Sequence, residues 1–153
     1  MNKKTIHALA GLALACSLAP VAAAQDVKPE VAIRYRQAIL RAQLWNVLPM
    51  AAMVKGDKPF NKEQFLLRAT YLDQLAAMAW EGFTPGSDQG APTRAKPEIW
   101  KDMAKFTQHA NALQAATPKL VAAARVGTLE AVKGPFGEVT KACDSCHDDF
   151  RSK

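Results

Sequence analysis

Apolar residues recur along most of the chain at alternating steps of three and four positions, which is the spacing of one face of an α-helix. Four segments share this pattern. The stripe of the first consists of Val31, Tyr35, Ala38, Ala42 and Trp45, with Ile33, Leu40, Leu44 and Leu48 beside it. The second stripe consists of Phe65, Ala69, Leu72, Ala76, Ala79 and Phe83. No segment of useful length alternates with a period of two, so the pattern predicts helices and no sheet.

The other two stripes follow the longest break in the pattern, residues 84–96, where prolines and glycines stand among polar residues. The third stripe consists of Ile99, Met103, Phe106, Ala110, Leu113, Thr117, Leu120 and Ala124. The fourth consists of Leu129, Val132, Phe136, Val139, Cys143, Cys146 and Phe150. Four amphipathic helices joined by one long connection predict an all-α, antiparallel four-helix bundle.

Several helix ends carry recognisable signals. Asn61 is a favourable N-cap for the second helix, and Gly127 is a typical C-cap for the third. Pro118 is expected to kink the third helix. The pair Gly134-Pro135 is expected to interrupt the fourth helix near its first turns.

The beginning of the chain differs in character from the rest. It carries Lys3 and Lys4, continues with a short apolar run and closes on Ala22-Ala23-Ala24, an A-x-A cleavage pattern. The apolar run is too short for a membrane-spanning helix. We therefore predict a cleaved signal peptide at residues 1–24, export to the periplasm, and one four-helix bundle domain at residues 25–153.

Removal of this segment changes the charge and the cysteine content. The whole chain has 20 Lys+Arg and 14 Asp+Glu. The segment takes two lysines and no acids, which leaves a formal charge of +4. Because this charge is spread without dense basic runs, it does not predict nucleic-acid binding. No later stretch is apolar enough to predict a membrane span. Cys16 leaves with the signal peptide, so only Cys143 and Cys146 remain.

The sequence Cys143-Asp144-Ser145-Cys146-His147 is C-x-x-C-H, the c-type haem attachment signature. On a helix, cysteines three residues apart share a face, and His147 follows Cys143 by four. The two thiols can then bond the vinyl groups of one porphyrin edge while the imidazole reaches the iron. The motif predicts one covalently bound haem c, attached at Cys143 and Cys146, with His147 as an axial iron ligand.

Other uses of these cysteines are less favoured. A thioredoxin-like C-x-x-C sits between a strand and a helix, and no strand is predicted here. Structural zinc needs four ligands, and His109 is the only candidate beyond the motif itself. A disulfide across two intervening residues would close a very small loop and stabilise little. A chance match with inert thiols remains a further alternative.

The group on the opposite face of the iron decides the class of haem protein. His109 lies between polar residues and is expected to be solvated. Met103 is on the third stripe and is expected to be core packing. Met50, Met53 and Met78 are likewise expected to fill the core rather than to bind iron.

Together these residues resemble the cytochrome c′ family, the class II c-type cytochromes. The likeness covers nearly the whole chain after the signal peptide. It includes Arg34-Tyr35-Arg36-Gln37, Trp80 and Phe83, Pro85-Gly86, Lys96-Pro97-Glu98-Ile99-Trp100 and Cys143-x-x-Cys146-His147-x-x-Phe150-Arg151. The C-x-x-C-H motif alone is common to all c-type cytochromes. Its place close to the C-terminus is what is typical of class II.

The resemblance implies a left-twisted four-helix bundle with the haem between the helices, often as a homodimer through the first two. It implies a five-coordinate, high-spin iron with His147 as the sole protein ligand. Leu40 would lie over the distal face, with Trp80 and Phe83 completing the distal wall. Leu40 has no lone pair, so this site would admit small neutral gases such as nitric oxide (NO) and CO, whereas a hydrated anion would pay a desolvation cost.

The resemblance also assigns polar residues around the haem. Arg36 and Gln37 would meet the haem propionates, since the arginine fork suits a carboxylate, and Arg94 is a further candidate from the loop. Arg151 would lie on the proximal side, beside His147. The low-spin branch of the family uses a first-helix methionine at the position that Leu40 occupies here.

Two functions follow as hypotheses. The first is a periplasmic monohaem cytochrome that binds NO or CO at a five-coordinate iron, transfers single electrons, or does both. The alternative is a low-spin, six-coordinate electron carrier with a methionine or His109 as sixth ligand. An enzymatic role would need a distal proton donor, which Leu40, Trp80 and Phe83 do not supply, so none is predicted. The sequence does not identify a redox partner protein, and the homodimer rests on the resemblance alone.

Overall fold

The computed structural model describes residues 27–153, and the predicted signal peptide lies outside them. Four long helices make up the bundle, and two short helical segments lie between the second and third. The long helices are α1 (Pro29–Lys55), α2 (Lys62–Met78), α4 (Met103–Val126) and α5 (Leu129–Phe150). The short segments are a 3₁₀ turn (Ala79–Gly82) and α3 (Glu98–Lys101). The described residues form no strand, which confirms the all-α four-helix bundle. None of these helices has both the length and the apolarity needed to cross a bilayer.

The buried faces of α2, α4 and α5 follow the predicted stripes closely. Phe65, Ala69, Leu72 and Ala76 of α2 pack against Leu113 and Leu120 of α4 and Val132, Phe136 and Val139 of α5. The caps are also as predicted. The Asn61 side chain accepts a hydrogen bond from the backbone N–H of Gln64 at 2.8 Å, and Gly127 has the left-handed φ of 81° that favours glycine at a helix C-terminus.

The predicted stripe of α1 is wrong. Trp45 is 69% exposed, and Val31, Leu44 and Leu48 are exposed as well. The buried face consists of Ala32, Ile33, Arg36, Gln43, Asn46, Met50 and Met53. The polar members of this face are tolerated because they have partners, as when Gln43 Nε2 donates to the carbonyl of Leu75 at 2.9 Å. Apolar periodicity alone could not reveal a helix face that is buried partly through polar groups.

The predicted third helix is divided at Asp102. The Asp102 side chain accepts a hydrogen bond from the backbone N–H of Lys105 at 3.0 Å and caps a new helix, α4. Met103 therefore begins α4 and is 40% exposed, so its predicted place in the core is wrong. Ile99, in the short α3, is buried in a second, smaller cluster with Phe106 and Phe150.

The expected interruption at Gly134-Pro135 does not occur, because α5 runs unbroken from Leu129 to Phe150. A proline inside a helix loses one backbone hydrogen bond, and its ring clashes with the carbonyl four residues earlier and with the Cβ of the residue before it. Gly134 has no Cβ, so the last of these clashes is absent. Pro118 also lies within a single continuous helix, α4.

Candidate functional site

A cavity of about 680 Å³ lies between α1, α4, α5 and the loop before α3. Most of its wall is apolar and includes Leu40, Leu72, Leu113 and Phe150. Cys143, Cys146 and His147 all line it from α5. The helical spacing predicted for the motif therefore places all three side chains at one cavity.

The two cysteines are half-buried free thiols. Burial raises the pKa of the Cys143 thiol, and Asp144 adds to the shift. Burial, Cys143 and Asp149 raise the pKa of Cys146 to about 11. Both thiols are thus protonated at neutral pH, unlike the thiolate of a redox C-x-x-C site.

His147 is suited to bind a metal through a neutral ring. Burial lowers the pKa of the imidazole, and the charge of Arg151 lowers it further. The neutral imidazole is the form that binds metals. No group of three or more His, Cys, Asp or Glu side chains within residues 27–153 is arranged to hold a metal ion, so the zinc alternative lacks a ligand set.

An aromatic wall formed by Trp80, Phe83 and Phe106 also lines the cavity. The rings of Phe83 and Phe106 lie 4.6 Å apart between centroids, and Trp80 stacks on Phe83 at 6.3 Å. Trp80 Nε1 donates to the carbonyl of Ala76 at 2.6 Å, so its N–H is not free for a ligand. Phe106 was not predicted as a site residue, because its place on the third stripe marked it only as core.

The structure gives Arg36 a role that the sequence did not predict. Its side chain is buried, with 1% exposed. One terminal nitrogen donates to the Gly82 carbonyl (2.8 Å) and Ser87 Oγ (2.7 Å), and the other to the Ser87 carbonyl (2.8 Å) and Thr93 Oγ1 (3.1 Å). The guanidinium also lies 4.7 Å over the Phe83 ring. Arg36 lines the cavity, but its terminal nitrogens bind the loop, whereas the resemblance implied that they meet the propionates.

The remaining predicted polar residues, Gln37, Arg94 and Arg151, also line the cavity. Gln37 Nε2 donates to the carbonyl of Pro92 at 2.9 Å, and Arg94 Nε donates to the carbonyl of Ser152 at 2.9 Å.

Arg41 is a lining residue that sequence reasoning missed, although its position one helical turn after Gln37 was a usable signal. With Arg36, Arg94 and Arg151 it makes four arginines at the cavity, against one acidic lining residue, Asp144. Within the described part of the chain every ion pair uses lysine or histidine, so none of these arginines has a carboxylate within 4.0 Å. The charged lining residues of the cavity are therefore mostly positive.

The prediction that His109 is solvated is wrong. Its side chain is 17% exposed and lines the cavity. His109 Nε2 lies 2.9 Å from Asp149 Oδ2, which also accepts from Lys105 Nζ at 2.9 Å. Hydrogen bonds from Lys105 and His109 hold the pKa of Asp149 below its ordinary value. No sequence signal joins His109 to Asp149, 40 residues away.

None of the four methionines in the described chain lines the cavity. Met50 and Met53 are buried in the main core, as predicted. Met78 and Met103 are exposed, which corrects the expectation that they fill the core. None of these four methionines is therefore placed to be a sixth iron ligand, and His109 is already bonded to Asp149.

Comparison with known proteins gives consistent matches over this region. A sequence model described as cytochrome c′ matches residues 31–151. The chain is 39% identical to cytochrome c′ from Alcaligenes xylosoxydans xylosoxydans over 129 residues, which is 84% of this chain and 99% of that protein. It is 36% identical to cytochrome c′ from Rubrivivax gelatinosus over 129 residues, which is 84% of this chain and 100% of that protein.

Solved structures agree with these matches. The crystal structure of cytochrome c′ from Rubrivivax gelatinosus superposes with a TM-score of 0.79 at 35% identity, covering 82% of this chain and 98% of that one. A nitric oxide complex of a leucine-to-alanine mutant of cytochrome c′ from Alcaligenes xylosoxidans superposes with a TM-score of 0.76 at 38% identity, covering 83% of this chain and 98% of that one.

Proposed function

This chain belongs to the cytochrome c′ family, and from that premise we propose that it binds NO and CO at an iron whose only protein ligand is His147. The family carries one covalently bound haem c, so the protein is a c-type cytochrome. Binding of small gases is supported by the nitric oxide complex among its structural relatives. We also propose that residues 1–24 direct export to the periplasm, and the mass of the mature chain tests this in the experiment that opens the Discussion.

The cavity fits the haem group in shape and charge. A flat apolar macrocycle matches the apolar walls, and its two propionate carboxylates match a lining that includes four arginines and one acid. When bound, the haem iron supplies a one-electron redox couple and a coordination position for a diatomic ligand. We assign the propionates to Gln37, Arg94, Arg151 and Arg41, with Arg36 contributing positive charge while its terminal nitrogens hold the loop.

The proximal side is formed by one turn of α5. Cys143 and Cys146 would hold the haem covalently, each through a thioether to which its S–H would supply both the sulfur and the hydrogen added across one vinyl group. His147 offers a neutral imidazole from the same helix. Arg151 helps to keep it neutral through its positive charge.

The distal side is formed by Leu40, Trp80 and Phe83. Leu40 has no polar atom in its side chain, and the Trp80 N–H is already bonded to a backbone carbonyl. This wall favours small neutral ligands over hydrated anions, because an anion would lose its hydrogen bonds to water and gain none from these side chains. It also offers no proton donor of the kind that peroxidase chemistry needs, which supports a ligand-binding and electron-transfer role rather than an enzymatic one.

One observation carries this proposal. Cys143, Cys146 and His147 share a cavity that no methionine of the described chain reaches. The test is the absorption spectrum of the purified ferric and ferrous holoprotein. We expect high-spin spectra in both states, because the sixth position has no protein ligand. A low-spin ferrous spectrum would contradict the proposal and favour the six-coordinate alternative.

Leu40→Ala is expected to speed CO binding to the ferrous protein by roughly tenfold, because an entering ligand no longer has to displace a packed side chain. The measurement is the association rate after flash photolysis. Val31→Ala is the control, since Val31 is an exposed apolar residue of the same helix and does not line the cavity. Equal association rates in the two variants would show that Leu40 does not limit ligand entry at the distal site.

We further propose the homodimer that the resemblance implies. The first two helices expose a set of large apolar side chains, namely Leu44, Trp45, Leu48, Leu67 and Tyr71. Trp45→Glu is expected to shift the protein from dimer to monomer in sedimentation, because it places a charge in the apolar contact. Val126→Glu changes an exposed valine outside α1 and α2 and should leave the dimer intact. A wild-type protein that sediments as a monomer at micromolar concentration would refute the proposal.

A further inference from the structure

The C-terminal end of α5 is capped by one distant lysine. The last four carbonyls of any helix lack partners within the helix, and in α5 they belong to residues 147–150. The backbone N–H of Arg151 bonds the first of them at 3.0 Å. Lys96 Nζ donates to the next two at 3.0 Å each, and the backbone N–H of Lys96 donates to the last at 2.9 Å. All four carbonyls are therefore satisfied, three of them by Lys96.

The neighbours of Lys96 extend this contact. The backbone N–H of Ser152 donates to the carbonyl of Arg94 at 2.8 Å, and Arg94 Nε donates back to the carbonyl of Ser152 at 2.9 Å. Between these bonds, Ala95 and Arg151 form an antiparallel bridge. Residues 94–96 thus run along the end of α5 as a short clamp.

The same turn is held from its other side by α4. Asp149 Oδ2 accepts hydrogen bonds from His109 Nε2 and Lys105 Nζ, both at 2.9 Å. Phe150 packs edge-on against Phe106, with the ring centroids 5.5 Å apart. These contacts hold side chains of the turn but leave its terminal carbonyls without donors. Lys96 provides most of those donors, and its positive charge is favourable at a helix C-terminus.

We propose that Lys96 is a positioning residue for the iron ligand. By occupying these carbonyls, Lys96 keeps the last turn of α5 helical and so fixes the imidazole of His147 relative to the two attachment cysteines. The inference rests on the proposed role of His147. Its physical basis is that an uncapped terminal turn frays, and His147 contributes the first carbonyl of that turn.

The experiment compares the holoproteins of Lys96→Met, Lys96→Arg and Lys101→Met. Lys101 is the matched control, since its side chain is exposed and pairs only with Glu98. In Lys96→Met we expect amide hydrogen exchange at residues 149–152 to accelerate by roughly tenfold or more. We also expect the iron–imidazole stretching band in the ferrous resonance Raman spectrum to shift or broaden. Lys96→Arg and Lys101→Met should match the wild type in both readouts.

Each other outcome has a separate meaning. Unchanged exchange in Lys96→Met would overturn the clamp itself. Faster exchange with an unaltered band would show that Lys96 supports the fold but does not position His147, and would also overturn the proposal. A wild-type protein without the band would instead refute the role of His147 and with it the proposed function. If Lys96→Met yields no holoprotein, Lys96→Gln, whose shorter side chain cannot reach the carbonyls, gives the same comparison.

Discussion

The double variant Cys143→Ser with Cys146→Ser is expected to carry no covalently bound haem. Serine hydroxyls do not add to the haem vinyl groups as thiols do, so both thioethers are lost. The measurement is the intact mass of protein made together with haem-maturation machinery and then denatured in acid. The wild type should show the chain from Gln25 onward plus one haem, whereas the double variant should show the chain alone.

The same variant is expected to lose most of its helical structure. If left unfilled, a cavity of about 680 Å³ would cost up to roughly 16 kcal/mol at about 24 cal/mol per Å³. This is an upper bound, because water enters an open cavity. Domains of this size are typically stable by only about 5–15 kcal/mol, so we expect the bundle to need its haem for much of its stability. Far-UV circular dichroism measures the loss.

Ser145→Ala is the control for both readouts. Ser145 lies between the two cysteines, is exposed, and bonds only the carbonyl of Lys141. It should keep the haem mass and the helical spectrum. Haem that stays covalently attached in the double variant would contradict the assignment of Cys143 and Cys146 as the attachment site. A wild-type chain without the haem mass would contradict it as well.

Those parts of the fold that depend on local pattern were predictable. The stripes of α2 and α5 follow the sequence periodicity because their buried positions are almost all apolar. Helix α1 was not predictable in this way, since Arg36, Gln43 and Asn46 lie on its buried face. Their hydrogen-bond acceptors include the carbonyls of Leu75 and Ser87, which only the folded chain brings close.

The candidate site likewise has a part that the local sequence predicts and a part that only the folded chain shows. Cys143, Cys146 and His147 lie within one and a half turns of one helix, so their spacing alone predicted that they meet. Other contacts around the cavity join residues far apart in the chain, such as Arg36 with Ser87, separated by 51 positions, and His109 with Asp149, separated by 40. No local pattern encodes such pairs, and Arg36 and His109 were accordingly assigned other roles or surroundings.

Arg36→Ala is expected to destabilise the holoprotein by about 3–5 kcal/mol, the largest effect that we expect from a single substitution outside the haem motif. The change removes the Arg36 donor from four acceptors, namely the Gly82 and Ser87 carbonyls, Ser87 Oγ and Thr93 Oγ1, of which Thr93 Oγ1 keeps the backbone N–H of Ala95 as a second donor. It also removes the packing of the guanidinium over Phe83. Urea unfolding followed by circular dichroism measures the loss. Arg34→Ala, an exposed arginine of the same helix that does not line the cavity, should change stability by less than about 0.5 kcal/mol.

The comparison of these variants also separates the two roles considered for Arg36. A residue that holds the loop acts on residues 83–93, so its loss should open this segment to limited proteolysis even while the haem stays attached through Cys143 and Cys146. A residue that binds propionate acts on the haem, so its loss should shift the midpoint potential and leave the loop protected. Because the Arg36 terminal nitrogens already have protein acceptors at 2.7–3.1 Å, we expect the first result. An Arg36→Ala protein with a protected loop and wild-type stability would instead support the role of Arg36 in binding the haem propionates.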